Sequence, residues 1–171
     1  LLVRKFNDFE LIGETLDDAL GEAFDKVAKL LGYSYPGGPI IEKLASKAKK
    51  KVNFNLPEPL IYNDSFNFSF SGIKTATRKI INNSFDKRLK NELAKNFQDC
   101  VTNCLITKCS KAIDLYKKRE KIKSFVLAGG VASNNFIRDK FMNLCDKKLT
   151  QFIVPEQNLC VDNATMIAWA A

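Results

Sequence analysis

The spacing of apolar residues divides the chain into alternating helical and extended stretches. Leu1 to Glu14, ending in the apolar run Phe9, Leu11 and Ile12, predicts a short strand pair. Leu16, Leu20, Phe24, Val27 and Leu31 then recur at helical spacing. This predicts a helix opened by Thr15 and Asp18 as an approximate capping box and stopped by Gly32. Tyr35-Pro36-Gly37-Gly38-Pro39 predicts a rigid turn, and a second helix is expected from Ile40 to about Lys51.

Residues 52 to 72 carry Pro57, Pro59 and many Asn and Phe. The pattern predicts an irregular connection ending in a short alternating strand, Phe66 to Phe70. Ser71-Gly72 turns the chain into a helix from Ile73 to about Asn82. Leu89, Leu93, Phe97, Val101, Cys104 and Leu105, with Ile113 and Tyr116 beyond, predict one long helix or two in sequence between about Asp86 and Arg119. Ser124 to Ala128 is a continuous apolar run and predicts a buried strand, followed by Gly129-Gly130 and a helix carrying Phe136, Ile137, Phe141 and Leu144. A last strand is expected from Gln151 to Val154. A helix is expected to begin near Asp162 and to be still running at Ala171, where the chain stops inside an element.

Composition narrows the chemistry. At 171 residues, the chain has the length of one domain or one large lobe, and 46% apolar with 27% charged residues is the balance of a globular core. Lys and Arg number 27 against 19 Asp and Glu, a net charge of +8 that favours a polyanionic partner. There is no His, which excludes imidazole acid-base chemistry, Ser-His-Asp triads and any His metal ligand from this chain. Cys100, Cys104, Cys109, Cys145 and Cys160 are an odd set without a C-x-x-C pair, and they predict reduced thiols of a cytoplasmic protein. No stretch approaches the roughly 20 apolar residues that cross a bilayer, so no membrane partner is expected.

Three local patterns could carry chemistry. Gly129 and Gly130, between a strand and a helix, allow backbone N–H groups to approach a phosphate or nucleotide at a positive helix end. They also make a tight turn with no ligand at all. Asn134 would offer that ligand both a donor and an acceptor. Asp18, Glu22 and Asp25 share a helical face suited to ribose hydroxyls or a cation, or else form a solvated face paired with Lys26 and Lys29. Lys47-Lys49-Lys50-Lys51, Lys87-Arg88-Lys90 and Lys117-Lys118-Arg119-Lys121-Lys123 would contact RNA phosphates if they converge on one side.

In order along the chain, GETLDDALGEAFDKVAKLLGYSYPGGPIIEKLA (13–45), FNFSFSGIKTA (66–76), LAGGVASNNFIR (127–138) and LCVDNATMIAWA (159–170) resemble the TsaD/Gcp family of tRNA N6-adenosine threonylcarbamoyltransferases. The resemblance implies an α/β fold of the actin/Hsp70/sugar-kinase (ASKHA) type. In that fold, residues 1–171 would be the second, C-terminal lobe, with a helix-rich insertion at roughly 33–120. It implies transfer of a threonylcarbamoyl group from threonylcarbamoyl-adenylate to N6 of the adenosine 3′ of the anticodon in tRNAs reading ANN codons. By resemblance, Asp25, Gly38 and Asn134 match adenylate-binding positions, Gly129 and Gly130 match the nucleotide loop, and Asp162 matches an aspartate ligand of one iron or zinc ion. TsaB and TsaE-type proteins are the implied partners.

The family's two-His metal motif and its SGGHT substrate loop would lie before Leu1, and neither is in this sequence. The resemblance therefore implies a C-terminal portion that is inactive without a first lobe. The alternative is a non-catalytic nucleotide- or RNA-binding module that kept the fold and lost the metal site. An actin-like sugar or acetate kinase is the other enzyme class.

Overall fold

The computed structural model describes residues 1–83 and 86–170. It is a mixed helix and strand protein with two small sheets. The length predicts one core, but contacts divide the chain into two compact units, Leu1–Ala112 and Ile113–Ala171. The expected helix end at Ala171 lies outside the described residues. No described helix is long and apolar enough to cross a membrane.

The first unit opens with the expected strand pair, an antiparallel hairpin of β1 (Leu2–Lys5) and β2 (Asp8–Glu10). Helix α1 covers Leu20–Leu30 and starts later than its apolar spacing predicts. The reason is tertiary: residues 14 to 16 are held extended against Phe68, with Phe68 N–H donating to Glu14 O at 2.8 Å and Leu16 N–H to Phe68 O at 2.9 Å. Thr15 and Asp18 therefore form no capping box. Ala19 is the N-cap without a side-chain bond, and Thr15 Oγ1 donates to Asp18 O at 2.9 Å. At the far end Gly32 is the stop its sequence predicts. Its φ of 88° lets Gly32 N–H reach Lys29 O and Tyr33 N–H reach Ala28 O, both at 3.0 Å.

Helix α2 covers Gly37–Ser46, so the Gly-Gly-Pro segment is the first turn of the helix and not a turn before it. Pro36 is the N-cap, a position that needs no N–H. Helix α3 covers Ser71–Asn82 and α4 covers Lys90–Lys117, the latter a single helix preceded by a short 3-10 turn. The core of this unit joins Phe24 and Val27 of α1, Ile41 of α2, Ile73 of α3 and Leu93, Phe97 and Val101 of α4. Phe24 and Phe97 meet edge to face at 5.1 Å.

Between α2 and α3 the chain runs irregularly, and the strand expected at 66 to 70 reduces to the single bridge at Phe68. Side chains of α4 anchor the backbone of this strap at intervals of about one turn. Glu92 Oε1 accepts from Lys49 N–H (3.3 Å) and Lys50 N–H (3.4 Å). Asn96 donates to Val52 O (2.6 Å) and accepts from Phe54 N–H (3.2 Å). The Cys100 thiol donates to Pro57 O at 3.0 Å, and its hydrogen bond with Cys104 together with burial pushes its pKa up, so it stays protonated. Lys108, fully buried, donates to Asn63 Oδ1 and Ser65 O, while Lys111 reaches Ile61 O at 3.1 Å.

The strap ends where α3 begins. Asp17 receives Ser69 Oγ (2.6 Å), Ser71 Oγ (2.7 Å), Phe70 N–H (2.8 Å) and Ser71 N–H (3.2 Å). Desolvation works to raise the Asp17 pKa, but these donors together outweigh it and hold the carboxyl well below its usual range. Asp18 is likewise lowered, by hydrogen bonds from Lys74 (2.7 Å) and Lys26 (2.9 Å).

The second unit pairs β3 (Ser124–Val126) with β4 (Gln151–Ile153) in parallel, Phe125 opposite Phe152. Helix α5 (Asn135–Lys147) packs on the pair, with Phe141 stacked on Phe125 at 5.0 Å, and α6 covers Ala164–Ala170. The strand β3 is not fully buried, since Val126 is 57% exposed. All five cysteines are free thiols.

Replacing Asn96 with Ala leaves backbone groups of Val52 and Phe54 without their partner, and should cost about 2 kcal/mol in urea unfolding. Asn103→Ala removes only an exposed bond to Glu58 (2.7 Å) and should cost under about 0.5 kcal/mol; equal costs would show that the strap does not depend on α4. Because the folded Asp17 carboxyl titrates below the unfolded one, its contribution is complete above about pH 4 and is lost as pH falls towards the lower folded value. Asp17→Asn should flatten the acid limb of stability against pH, and an unchanged limb would assign acid lability elsewhere.

Candidate functional site

In the first unit the joint between α1 and α2 brings Asp25 and Gly38 together. Asp25 Oδ1 accepts from Gly37 N–H at 2.6 Å, so the carboxylate caps the positive end of α2. The helices touch closely there: a Cβ on Gly37 would lie 2.5 Å from Asp25 Cα and 2.7 Å from Phe24 O, which only glycine avoids. Gly38 differs, since a Cβ there would meet nothing within 4 Å. Packing therefore explains Gly37 and leaves Gly38 open on one side. Beside Asp25 lies an open depression of about 380 Å³ lined by Lys26, Lys29, Tyr33, Ser34 and Tyr35 as well.

The acidic face expected on α1 is not one face. Asp18 precedes the helix and pairs with Lys26 and Lys74, and Glu22 pairs with Lys26 at 2.6 Å. The paired, solvated reading holds for these two, and only Asp25 faces the depression.

In the second unit the candidate residues sit on loops leaving the C-terminal ends of the parallel strands, where open α/β sheets bind ligands. Gly129 has φ 87° and an open Cβ direction, so the chain turns there at a value glycine adopts without strain. Ala132 N–H returns to Gly129 O at 2.8 Å and Ser133 Oγ to Gly130 O at 2.6 Å, closing a 3-10 turn. Asn134, 6% exposed, is the N-cap of α5, its Oδ1 accepting from Ile137 N–H at 3.0 Å. Its side-chain oxygen is thus committed to the helix.

The loop after β4 comes back to this turn. Arg138 donates from Nε to Ala132 O and from Nη2 to Pro155 O (3.2 Å) and Cys160 Sγ (3.3 Å), while Gln157 reaches Ser133 O at 3.4 Å. A Cβ on Gly130 would lie 3.9 Å from Val161. Asp162 is exposed in that loop, and it is Asn163 that caps α6, accepting from Met166 N–H at 3.0 Å. Arg138 is the strut of the region and was not legible as such. It stands in a helical stretch like many surface arginines, and its acceptors lie 6 to 22 residues away.

The donor set does not fit a transition metal. Among the described residues no three His, Cys, Asp or Glu side chains converge, and the sequence has no His.

The TsaD family model, described as tRNA N6-adenosine threonylcarbamoyltransferase, matches residues 1–169. Proteins of that name are similar throughout. The one from Thermosipho africanus is 45% identical over 172 residues, covering 99% of this chain and 50% of the relative. The one from Wolbachia pipientis wMel is 43% identical over 171 residues, with 99% and 50% covered. The one from Thermosipho melanesiensis is 48% identical over 161 residues, with 94% and 48% covered. The chain spans about half the length of the curated relatives it matches. The match runs through the α1–α2 joint, the Gly129 turn and the Asp162 loop alike, and on that extent this chain belongs to the TsaD family.

Proposed function

We propose that this chain is the adenylate-holding part of a tRNA N6-adenosine threonylcarbamoyltransferase, an ASKHA-type second lobe with residues 33–120 as its helical insertion. The observation that carries the reading is the open glycine turn at Gly129 and Gly130, at the C-terminal end of a parallel strand and inside the family match. Gly129 and Gly130 form a ligand-facing turn that Asn134 anchors as the N-cap of α5, and Asp25 with Gly38 forms a separate recognition element of the first unit. In the transfer, the N6 lone pair of the tRNA adenosine attacks the carbamoyl carbon of threonylcarbamoyl-adenylate. The bond from that carbon to the phosphate oxygen breaks, AMP leaves with the electron pair, and N6 loses one proton. The work of the Gly129 turn is to hold the adenylate so that the departing phosphate is aligned, a positional contribution.

Asp162 is the metal ligand this chain would contribute to a site completed by residues outside it. TsaB and TsaE-type proteins are the partners that fit the reading. A second reading, suited by the net charge of +8, is a binding module that retains the nucleotide loop without turnover.

A chimera tests both. Replacing the matched segment of the Thermosipho africanus relative with this chain should give an enzyme that modifies tRNA. A folded chimera that binds adenylate and tRNA without turnover would establish the binding module instead. Gly38→Ala meets nothing beyond its chain neighbours, but a Cβ just before Pro39 in the first turn of α2 is disfavoured, so thermal stability should fall by no more than about 1 kcal/mol. If adenylate passes close to Gly38, its affinity in the chimera should fall about tenfold, whereas unchanged affinity would remove Gly38 from the site. Dialysis of the 171-residue chain against zinc should leave well below one equivalent bound, and a tightly held equivalent would overturn the assignment of ligands outside it.

A further inference from the structure

We infer that one end of the first unit is an RNA-binding face, built from the basic residues 47–51 after α2 and Lys87, Arg88 and Lys90 at the start of α4, with Tyr33 as its stacking platform. The choice of RNA rests on the transferase reading, but the face itself rests on geometry. Glu92 accepts from the backbone N–H groups of Lys49 and Lys50, which fixes the first basic run against the head of α4. The charge of Lys50 is among the influences lowering the Asp86 carboxyl, so the second run lies within its field. Lys90 completes the join to α1: its Nζ sits 5.2 Å from the centroid of the Tyr33 ring. Two basic segments far apart in sequence thus meet at the head of α4 beside Tyr33, where the buried Glu92 binds backbone and Asp86 pairs with Arg88 at 3.1 Å.

Helix stability does not account for this placement. Cations are favoured at helix C-termini and disfavoured at N-termini, yet Lys87, Arg88 and Lys90 crowd the N-terminal end of the longest helix. Nor does a lipid surface fit. Lys47, Lys49, Lys50 and Lys51 are all exposed, the apolar side chain that follows them, Val52, is half-buried, and the exposed ring beside Lys90 is a tyrosine rather than an aliphatic side chain. Tyr33 is 39% exposed and Tyr35 81% exposed, flat rings of the kind on which bases stack beside a phosphate-binding strip. Both tyrosines line the Asp25 depression, so the basic face is continuous with it. A strand held by its phosphates along the lysines is positioned to place a base at Tyr33.

The test is binding of a labelled tRNA transcript with an ANN-reading anticodon to the 171-residue chain, between about 50 and about 200 mM salt. Lys49→Glu/Lys51→Glu/Lys87→Glu should weaken binding about tenfold or more at the low end and reduce the slope of log affinity against log salt by about two to three. Tyr33→Ala should cost about fivefold or more while Tyr33→Phe costs little, since stacking needs the ring and not the hydroxyl. All these residues are at least partly exposed, so unfolding curves should match those of the parent chain. The face is refuted if the triple variant keeps parental affinity and slope. It is refuted equally if only Lys118→Glu/Lys121→Glu/Lys123→Glu loses binding, or if the chain prefers phosphatidylserine vesicles to tRNA. Affinity for a non-hydrolysable adenylate analogue separates this inference from the transferase reading. Binding tRNA through this face but no adenylate would leave the face and remove the transferase, and the reverse pattern would do the opposite.

Discussion

The hydrogen bonds from α4 to the backbone of the 49–65 strap are the constraint on which the first unit depends. A run of this length without helix or strand carries backbone groups that cannot be left unpaired where they are covered. Glu92, Asn96, Cys100, Lys108 and Lys111 meet that need because a helix repeats its faces every three to four residues, so one stripe of side chains reads successive points of an extended chain. The apolar stripe of the same helix, Leu93, Phe97 and Val101, builds the core. One helix thus holds both the interior and the irregular segment.

That anchoring has functional reach. Glu92 at the first turn of α4 fixes Lys49 and Lys50, and so sets the basic edge beside the α1–α2 joint. At the far end of the strap, Asp17 gathers the Ser69 and Ser71 hydroxyls and two backbone amides at the start of α3. Between these fixed points α1 and α2 meet through Asp25 and Gly37, with almost no room between them. The depression beside Asp25 therefore borders a closely packed helix joint, and Tyr33 and Tyr35 are the exposed rings that line it.

The second unit solves a similar problem with one cation. The strands β3 and β4 pair over only three residues each, so the loops that leave them need support from elsewhere. Arg138 collects the carbonyls of Ala132 and Pro155 and the sulfur of Cys160, so the two loops that leave the strands are held as one surface. The planar guanidinium fork suits acceptors arriving from different directions, which a lysine would serve less well.

The sequence by itself determined the order and kind of most elements: the strand pair, the stop at Gly32, a helical run between about Asp86 and Arg119, the strand-glycine-helix unit and the absence of imidazole chemistry from this chain. Each of these is a local property, set by side-chain periodicity, by the φ range glycine allows or by which residue types are present. Four ordered motifs also made the family legible, because they are read along the chain without knowing where it goes. Only tertiary structure decided the rest. Thr15 looks like a helix cap but is extended because Phe68, 53 residues on, pairs with it. Gly37 and Gly38 look alike in sequence, yet one is fixed by helix contact and the other is open. Asp18 left the acidic face because Lys74 lies within 2.7 Å, and the lysine runs became a face because Glu92 and Tyr33 join them. These are encounters between different segments, from 12 residues apart at Asp25 and Gly37 to more than 40 apart at Glu92 and Lys49, and no local pattern encodes which partner a polar side chain will meet.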